Sequence, residues 1–221
     1  MLYIIATPIG NMGDITERAI ETLKSCDFVI AENPLYSKRL LEHTGAWPKE
    51  MVQFAEHNEQ QVVKDLTRRL TKANGALITD AGTPGISDPG FRLVRECVKE
   101  NIQVVPLPGA SAVMTALSAS GLPTDRFLFL GFLQKTAVKT LSALETAKAA
   151  EATAIFYESP ERILKTLSYI QNAFPNSQVV VARELTKIHE EFIRGTPGAV
   201  MEQLKNRASI KGELTVLVSF K

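Results

Sequence analysis

Over roughly its first half the chain alternates short apolar runs with amphipathic ones, and this alternation limits the folds open to it more than any other feature. Leu2–Ala6, Phe28–Ala31, Met51–Ala55, Ala76–Ile78 and Gln103–Leu107 read as strands. Between them lie helical patterns. Asp14 and Glu17 have capping-box spacing ahead of Ile15, Ala19, Ile20 and Leu23, and a short basic helix runs from about Ser37 to His43. Asn58 caps a helix carrying Val62, Val63, Leu66 and Leu70 that Asn74-Gly75 stops, and Phe91, Leu93, Val94 and Val98 recur at helical spacing. Strands that alternate with helices form a mainly parallel sheet covered on both faces, because each parallel pairing needs a crossover and the crossover helix buries the sheet.

Three of these strands end in loops of glycine, proline and small residues: Thr7-Pro8-Ile9-Gly10-Asn11-Met12-Gly13, Thr79–Gly90, and Pro108-Gly109-Ala110-Ser111-Ala112. In Thr79–Gly90 the glycines Gly82, Gly85 and Gly90 allow backbone conformations and close approaches that a Cβ forbids, and Asp88 with Pro89 is placed to cap and start the next helix. In an open α/β sheet, loops at the carboxyl ends of strands are where ligands bind. Loops rich in backbone polar groups and poor in Lys and Arg suit an amphiphilic, nucleoside-like ligand better than a triphosphate.

Gly121-Leu122-Pro123-Thr124-Asp125 interrupts the patterns on both sides and reads as a linker between domains at 1–121 and 122–221. Beyond it, Phe127–Phe132, Thr153–Tyr157, Val179–Ala182, Glu191–Arg194 and Leu214–Val218 read as strands. Helices are expected over Thr136–Ala150, after Ser159-Pro160, and over Ala199–Leu204. Short connections between neighbouring strands predict a mixed or antiparallel sheet, so the fold class is α/β with two α/β domains. Glu158, Arg162, Arg183, Glu184, Lys187, Glu190 and Arg194 form a second polar group; it reads equally as a functional site or as paired surface charge.

The 221 residues suffice to bury a full core, and a formal net charge of +1 argues against a protein that coats nucleic acid broadly. No apolar run reaches membrane-spanning length, the first residues lack the pattern of a signal peptide, and Cys26 and Cys97 stand far apart, as buried thiols in a reducing compartment would; a cytoplasmic protein is expected. The chain lacks Gly-x-Gly-x-x-Gly after its first strand, a P-loop and a Gly-x-Ser-x-Gly elbow. His43, His57 and His189 are isolated from the cysteines and from each other, so no metal site is expected.

Six segments taken together carry a resemblance: Thr7–Thr16, Asp80–Gly90, Pro106–Ala112, Ser118–Asp125, Phe156–Pro160 and Ala182–Lys187. In this order, and almost end to end, they resemble the 16S ribosomal RNA cytidine ribose 2′-O-methyltransferase I family, a branch of the tetrapyrrole methylases. The resemblance implies a homodimer and S-adenosylmethionine in a cleft between the two domains. It places Ile9, Gly82, Thr83, Ile86, Ser111, Ala112 and Tyr157 beside the cofactor, with Glu213 near its adenine end. It also implies a cytidine ribose of 16S RNA in the small ribosomal subunit as the acceptor, with no role for DNA or a membrane. On that reading Glu32 or Glu158 helps remove the ribose proton, and Arg162, Arg183 and Lys187 meet phosphates. Where the family reads Ala-Glu-Asp-Thr-Arg, this chain has Ala31-Glu32-Asn33-Pro34-Leu35. It ends at Lys221, where many family members continue into an extension that the resemblance associates with RNA contact. Two other readings stay open: a tetrapyrrole-type small-molecule methyltransferase, favoured by the near-neutral charge, and a non-catalytic paralogue that binds S-adenosylmethionine, favoured by Asn33-Pro34-Leu35.

Overall fold

A computed structural model describes residues 1–47 and 49–221. The chain divides into two compact units, Met1–Ser111 and Ala112–Lys221.

The first unit contains β1 (Leu2–Ile5), α1 (Glu17–Ser25), β2 (Phe28–Ala31), α2 (Pro34–Thr44), β3 (Glu50–Gln53), α3 (Glu59–Leu70), β4 (Gly75–Ile78), α4 (Phe91–Lys99) and β5 (Val104–Leu107). Its strands form one sheet in the order β3-β2-β4-β1-β5, every pairing parallel. One face packs Ile5, Val29, Ala31, Ala76 and Ile78 with Leu23, Leu40 and Leu41, and the other packs Leu2, Phe28, Ile30 and Leu77 with Leu66, Leu70 and Leu93. That two-sided burial is why these strands read as continuous apolar runs rather than alternating ones. Because β4, β1 and β5 are neighbours, the three loops that follow them leave the same edge of the sheet side by side.

The second unit contains α5 (Ala112–Ser120), β6 (Phe127–Phe132), α6 (Ala137–Ala149), β7 (Thr153–Glu158), α7 (Ile163–Ala173), β8 (Gln178–Arg183), β9 (Glu191–Gly195), α8 (Pro197–Lys205) and β10 (Leu214–Ser219). Its sheet runs β6-β7-β10-β8-β9, parallel between β6 and β7 and antiparallel elsewhere, which is the expected mixed sheet. Helix α5 packs against β7, β8 and β10 and belongs to this unit, so the division falls ahead of the Gly121–Asp125 turn. Arg194 on β9 fastens the end of α5 by donating to the carbonyls of Ala119 at 2.6 Å and Ser120 at 3.1 Å. These are carbonyls that the helix itself leaves unsatisfied. Among the described residues no helix is long and apolar enough to cross a membrane.

Several helix starts differ from the sequence expectation. Asn58 precedes α3 but does not cap it, because its Oδ1 accepts from the Ala55 amide at 2.9 Å instead, and α2 starts at Pro34, ahead of the expected Ser37. Helix α1 is capped by Thr16, whose hydroxyl accepts from the Ala19 amide at 3.2 Å, and Asp14 instead ends a short 3-10 turn over Met12–Asp14. A hydroxyl two residues further along meets the free amides that Asp14 cannot reach. Helix α4 begins after Gly90 rather than at Pro89, and no side chain of its own caps it. The acceptor comes from another helix: Glu59, 8 % exposed at the start of α3, accepts from the amides of Gly90 and Arg92, both at 3.4 Å, and pairs with Arg92 Nε at 3.1 Å. Helix α7 begins at Ile163 after a turn in which the Ser159 carbonyl accepts from the amides of Arg162 and Ile163, and the Ser159 side chain makes no cap.

Helix α2 begins inside the segment that departs from the family pattern. Asn33 Oδ1 accepts from the Tyr36 amide at 3.4 Å, and Pro34 occupies the first turn, where an amide is not needed. Asn33→Ala is therefore expected to cost about 1 kcal/mol of stability, read from denaturant unfolding, whereas Leu35→Ala, at a side chain 86 % exposed, leaves the curve in place.

Candidate active site

The three glycine-rich loops of the first unit are bound to one another. Thr7 and Gly82 form an isolated antiparallel bridge, each amide donating to the other's carbonyl at 2.9 and 3.0 Å. The Thr7 hydroxyl also donates to the Thr79 carbonyl at 3.0 Å. Thr83 Oγ1 donates to the Ala110 carbonyl at 3.2 Å, tying the second loop to the third. Gly109 lies so close to the end of β1 that a Cβ on it would meet Ala6 Cβ at 2.8 Å. Inside Thr79–Gly90 the Gly85 amide donates to the Pro89 carbonyl at 3.1 Å and the Ile86 amide to the Thr83 carbonyl at 3.2 Å. Gly82 and Gly85 have φ near +80°, so both occupy the left-handed region that glycine enters without a Cβ penalty. The loop edge thus presents fixed backbone polar groups, with Ile9 buried behind them and Ile86 half exposed.

Carboxylates gather at the same edge. Glu32 follows β2, and its Oε2 accepts from the Asp80 amide at 3.4 Å. Burial, reinforced by the charges of Glu32 and Asp80, pushes the Asp88 carboxyl up to about 7. Burial and Glu32 also raise Asp80, against a hydrogen bond from the Asn33 backbone. A cavity of about 110 Å³ opens beside Asp80, lined by Thr7, Gly10, Tyr36, Ser37, Arg39 and Thr79 among others. Among the described residues no group of three or more His, Cys, Asp or Glu side chains is arranged to hold a metal ion.

In the second unit Glu158 is 3 % exposed at the end of β7. Its oxygens accept from Thr166 Oγ1 at 2.6 Å and the Ser159 amide at 2.9 Å, with Arg162 Nε at 3.4 Å. Arg162 also donates to the carbonyls of Leu133 and Gln134. Arg183 pairs with Glu191, which Arg207 also holds, and Arg207 foremost drives the Glu191 carboxyl down to about 2. Arg183 donates as well to the Lys211 carbonyl at 2.8 Å. Lys187 lies between Glu184 at 2.9 Å and Glu213 at 3.0 Å, and the Glu213 amide donates to Glu184. Apart from Arg194, which holds the end of α5, the second polar group therefore forms two separate knots, one around Glu158 and one at the β8–β9 turn, and each of the three expected phosphate-binding cations faces an internal carboxylate. Tyr157 packs edge-on against Phe129, ring centroids 5.0 Å apart, and lies 5.4 Å from Phe132.

Ser37 and Glu59 escape the sequence reading, as do the roles of Asp80 and Asp88. Ser37 carries a signal that could have found it, since it shares the buried face of α2 with Leu40, Leu41 and Thr44 at helical spacing. Glu59 carries no local signal, because its partners are far along the chain.

Residues 1–200 match the tetrapyrrole (corrin/porphyrin) methylases. The chain is 46% identical to "Ribosomal RNA small subunit methyltransferase I" of Halalkalibacterium halodurans over 98% of its own length and 75% of that protein's. It is 45% identical to the protein of the same name from Haemophilus influenzae, over 100% and 79%. The chain belongs to the small-subunit ribosomal RNA methyltransferase I family. A crystal structure of diphthine synthase superposes on 99% of this methyltransferase and 89% of that chain with a TM-score of 0.77 at 15% identity, a likeness of fold. The two-sheet α/β architecture is thus that of the tetrapyrrole methylases, and the methylase domain takes in the three bound loops and the acidic group beside them.

Proposed function

We propose that this methyltransferase moves the methyl group of S-adenosylmethionine to the ribose 2′-oxygen of a cytidine in small-subunit ribosomal RNA, acting as a homodimer. The observation that carries the reading is the set of three loops at one sheet edge, the middle one bonded to each of the others, in a chain whose relatives are named for small-subunit ribosomal RNA. The residues fit the cofactor: neutral backbone groups at Gly82 and Thr83 with the apolar Ile9 and Ile86 suit a nucleoside, and the neighbouring carboxylates suit a sulfonium cation. Ser111, Ala112, Tyr157 and Glu213 complete the proposed cofactor contacts.

The bound cofactor supplies an electrophilic methyl on a positively charged sulfur. The loops would hold that methyl toward the ribose oxygen, the thioether would leave with the cofactor, and a carboxylate of this chain would take the 2′-OH proton. Of the two candidate acceptors we assign Glu32, which stands among the loops with Asp80 and Asp88. Glu158 braces the end of β7, since its oxygens are already taken by Thr166 and Ser159. Arg162, Arg183 and Lys187 hold their segments through internal partners, and their phosphate contacts would use the donors left over.

The test compares two isosteric variants. Glu32→Gln is expected to lower the rate of methyl transfer to small subunits from cells lacking the enzyme by roughly 100-fold or more, measured at saturating S-adenosylmethionine. Glu158→Gln is expected to lower the melting temperature and keep most of the transfer rate of the folded protein. The reverse pattern would move the acceptor to Glu158, and methylation of porphyrinogens but not of small subunits would favour the small-molecule alternative.

A further inference from the structure

At the edge of the second sheet, β6 turns three phenylalanines to one face. Phe127, Phe129 and Phe132 pair with Thr153, Ile155 and Tyr157 of β7, and paired residues on neighbouring strands point to the same side of a sheet. From Phe129 to Phe132 is a step of three residues where Ile155 to Tyr157 is a step of two, so β6 carries one extra residue there, a bulge that Gly131 accommodates with φ of +60°. Without the bulge Phe132 would point to the opposite side, where Leu128 and Leu130 pack into the core. With it, the Phe132 ring lies 5.4 Å from that of Tyr157 yet stays 59 % exposed, and Phe127 is 41 % exposed on the same face. Val138, in the first turn of α6, is 79 % exposed. Large apolar side chains gathered in water in this way mark an interaction surface.

The charges beside these rings have one sign. From Phe127 to Leu144 the chain contains Lys135 and Lys139 and no acidic residue. Both lysines are exposed, and among the described residues neither makes a hydrogen bond or an ion pair. Arg162, Arg183 and Lys187, by contrast, each already hold a carboxylate. The turn that carries Lys135 is fixed from inside the unit: Arg162 donates to the carbonyls of Leu133 at 2.9 Å and Gln134 at 3.3 Å, and Thr140 Oγ1 donates to that of Gln134 at 2.8 Å. A backbone held in this way presents its outward groups with little ordering left to do on binding.

Exposed aromatic rings flanked by unpaired cations fit a partner that offers flat rings and anions in alternation. An unpaired nucleic-acid strand is such a partner, since its bases stack on aromatic side chains while its phosphates meet lysines. A duplex keeps its bases covered, and a second copy of this segment packed on the first would set lysine against lysine with no carboxylate of the segment to meet them. Resting on the ribosomal RNA reading above, we propose that the phenylalanine face of β6 and the start of α6 dock a single-stranded segment of ribosomal RNA, with bases stacking on Phe132 and Phe127 and phosphates meeting Lys135 and Lys139. Arg162 then serves the RNA indirectly, by holding the turn between the rings and the lysines.

A short fluorescein-labelled oligoribonucleotide, alone and annealed to its complement, tests this with the parent protein, Phe132→Ala and the double variant Lys135→Ala/Lys139→Ala. Binding is read by fluorescence anisotropy over a series of salt concentrations, thermal melts verify that both variants are folded, and methyl transfer to small subunits is measured in parallel. The parent is expected to bind the single strand roughly tenfold more tightly than the duplex, and Phe132→Ala to weaken single-strand binding roughly tenfold without changing its salt dependence. The lysine variant is expected to lower the slope of log affinity against log salt by about 1.4 and to raise the KM for small subunits several-fold. Equal binding of duplex and single strand, or parent-like RNA binding in both variants, overturns the proposal even where transfer to small subunits is robust. A smaller sedimenting species in Phe132→Ala also overturns it, because the face would then belong to a contact between copies. Single-strand binding that depends on Phe132 and the two lysines, found without transfer to any subunit, upholds the surface and overturns the transfer reading instead.

Discussion

Asp88→Asn is expected to make the first unit more stable at pH 8 and to leave it unchanged near pH 3.5, with the gap opening between those limits. The Asp88 carboxyl is raised from 3.8 to about 7, first by burial and then by Glu32 and Asp80. Between those two values the folded chain keeps a proton that the unfolded chain has released, so each increment of pH in the window favours unfolding. The contribution of this group is complete below 3.8 and lost as pH passes 7. Asparagine has no proton to lose, and its stability is flat across the window as far as this position is concerned. Thermal melts of parent and variant at intervals from pH 3.5 to 8.5 check the expectation; parallel curves would show that the carboxyl titrates normally. The same substitution bears on catalysis, because ionisation of Asp88 deepens the negative potential around Glu32 and the proposed site of the sulfonium. Parent activity is expected to rise through pH 7, and the rise to flatten in Asp88→Asn. A group that costs stability at working pH and sits at a ligand loop is the usual trade between stability and function.

Gly90→Ala is expected to destabilise the first unit by about 2 kcal/mol or more and to weaken S-adenosylmethionine binding with it. Gly90 has φ of +147°, which side-chain-bearing residues rarely adopt, and a Cβ there would meet the Gly85 amide nitrogen at 3.0 Å and Leu77 Cδ2 at 3.2 Å. The nitrogen belongs to backbone and cannot swing aside. Relief would require Thr79–Gly90 to open, breaking the bond from the Gly85 amide to the Pro89 carbonyl and shifting the amides held by Glu59. Denaturant unfolding and calorimetric titration with the cofactor read the two effects; a variant with parent-like values in both would show that the loop yields freely. Gly82→Ala makes a useful contrast, since its Cβ would meet Ile9 Cγ2 at an ordinary 3.6 Å and the penalty there is the positive φ alone.

The parts of this site legible in the sequence are those whose cause is local. Gly82, Gly85 and Gly90 announced a loop with unusual backbone because only glycine supplies it cheaply, and the apolar runs before Thr7, Thr79 and Pro108 announced buried strands. That the three loops leave one edge follows from the β4-β1-β5 order, which no local pattern states. Asp88 carried the composition of an N-cap, yet the cap of α4 comes from Glu59 on another helix. Arg183 looked available for phosphate because its counter-charge, Glu191, is brought to it by strand pairing, whereas Glu158, four residues before Arg162, and Glu184, three before Lys187, are local partners that the spacing already offered. That Ser37 Oγ and Asp80 Oδ1 are enclosed without a partner shows only once the fold surrounds them.

The start of α2 bears on how this family can change. Asn33 and Pro34 stand where the family resemblance has an aspartate and a threonine, and the first turn of α2 is nonetheless served, because it asks only for an acceptor and a backbone that tolerates the missing amide. The positions around Thr7, Gly82 and Ala110 have no such latitude, since each is gripped by a neighbouring loop. The charges at the mouth of α2 can therefore be rewritten without loss of the helix start, while the bonds among the loops beside it hold those positions in place.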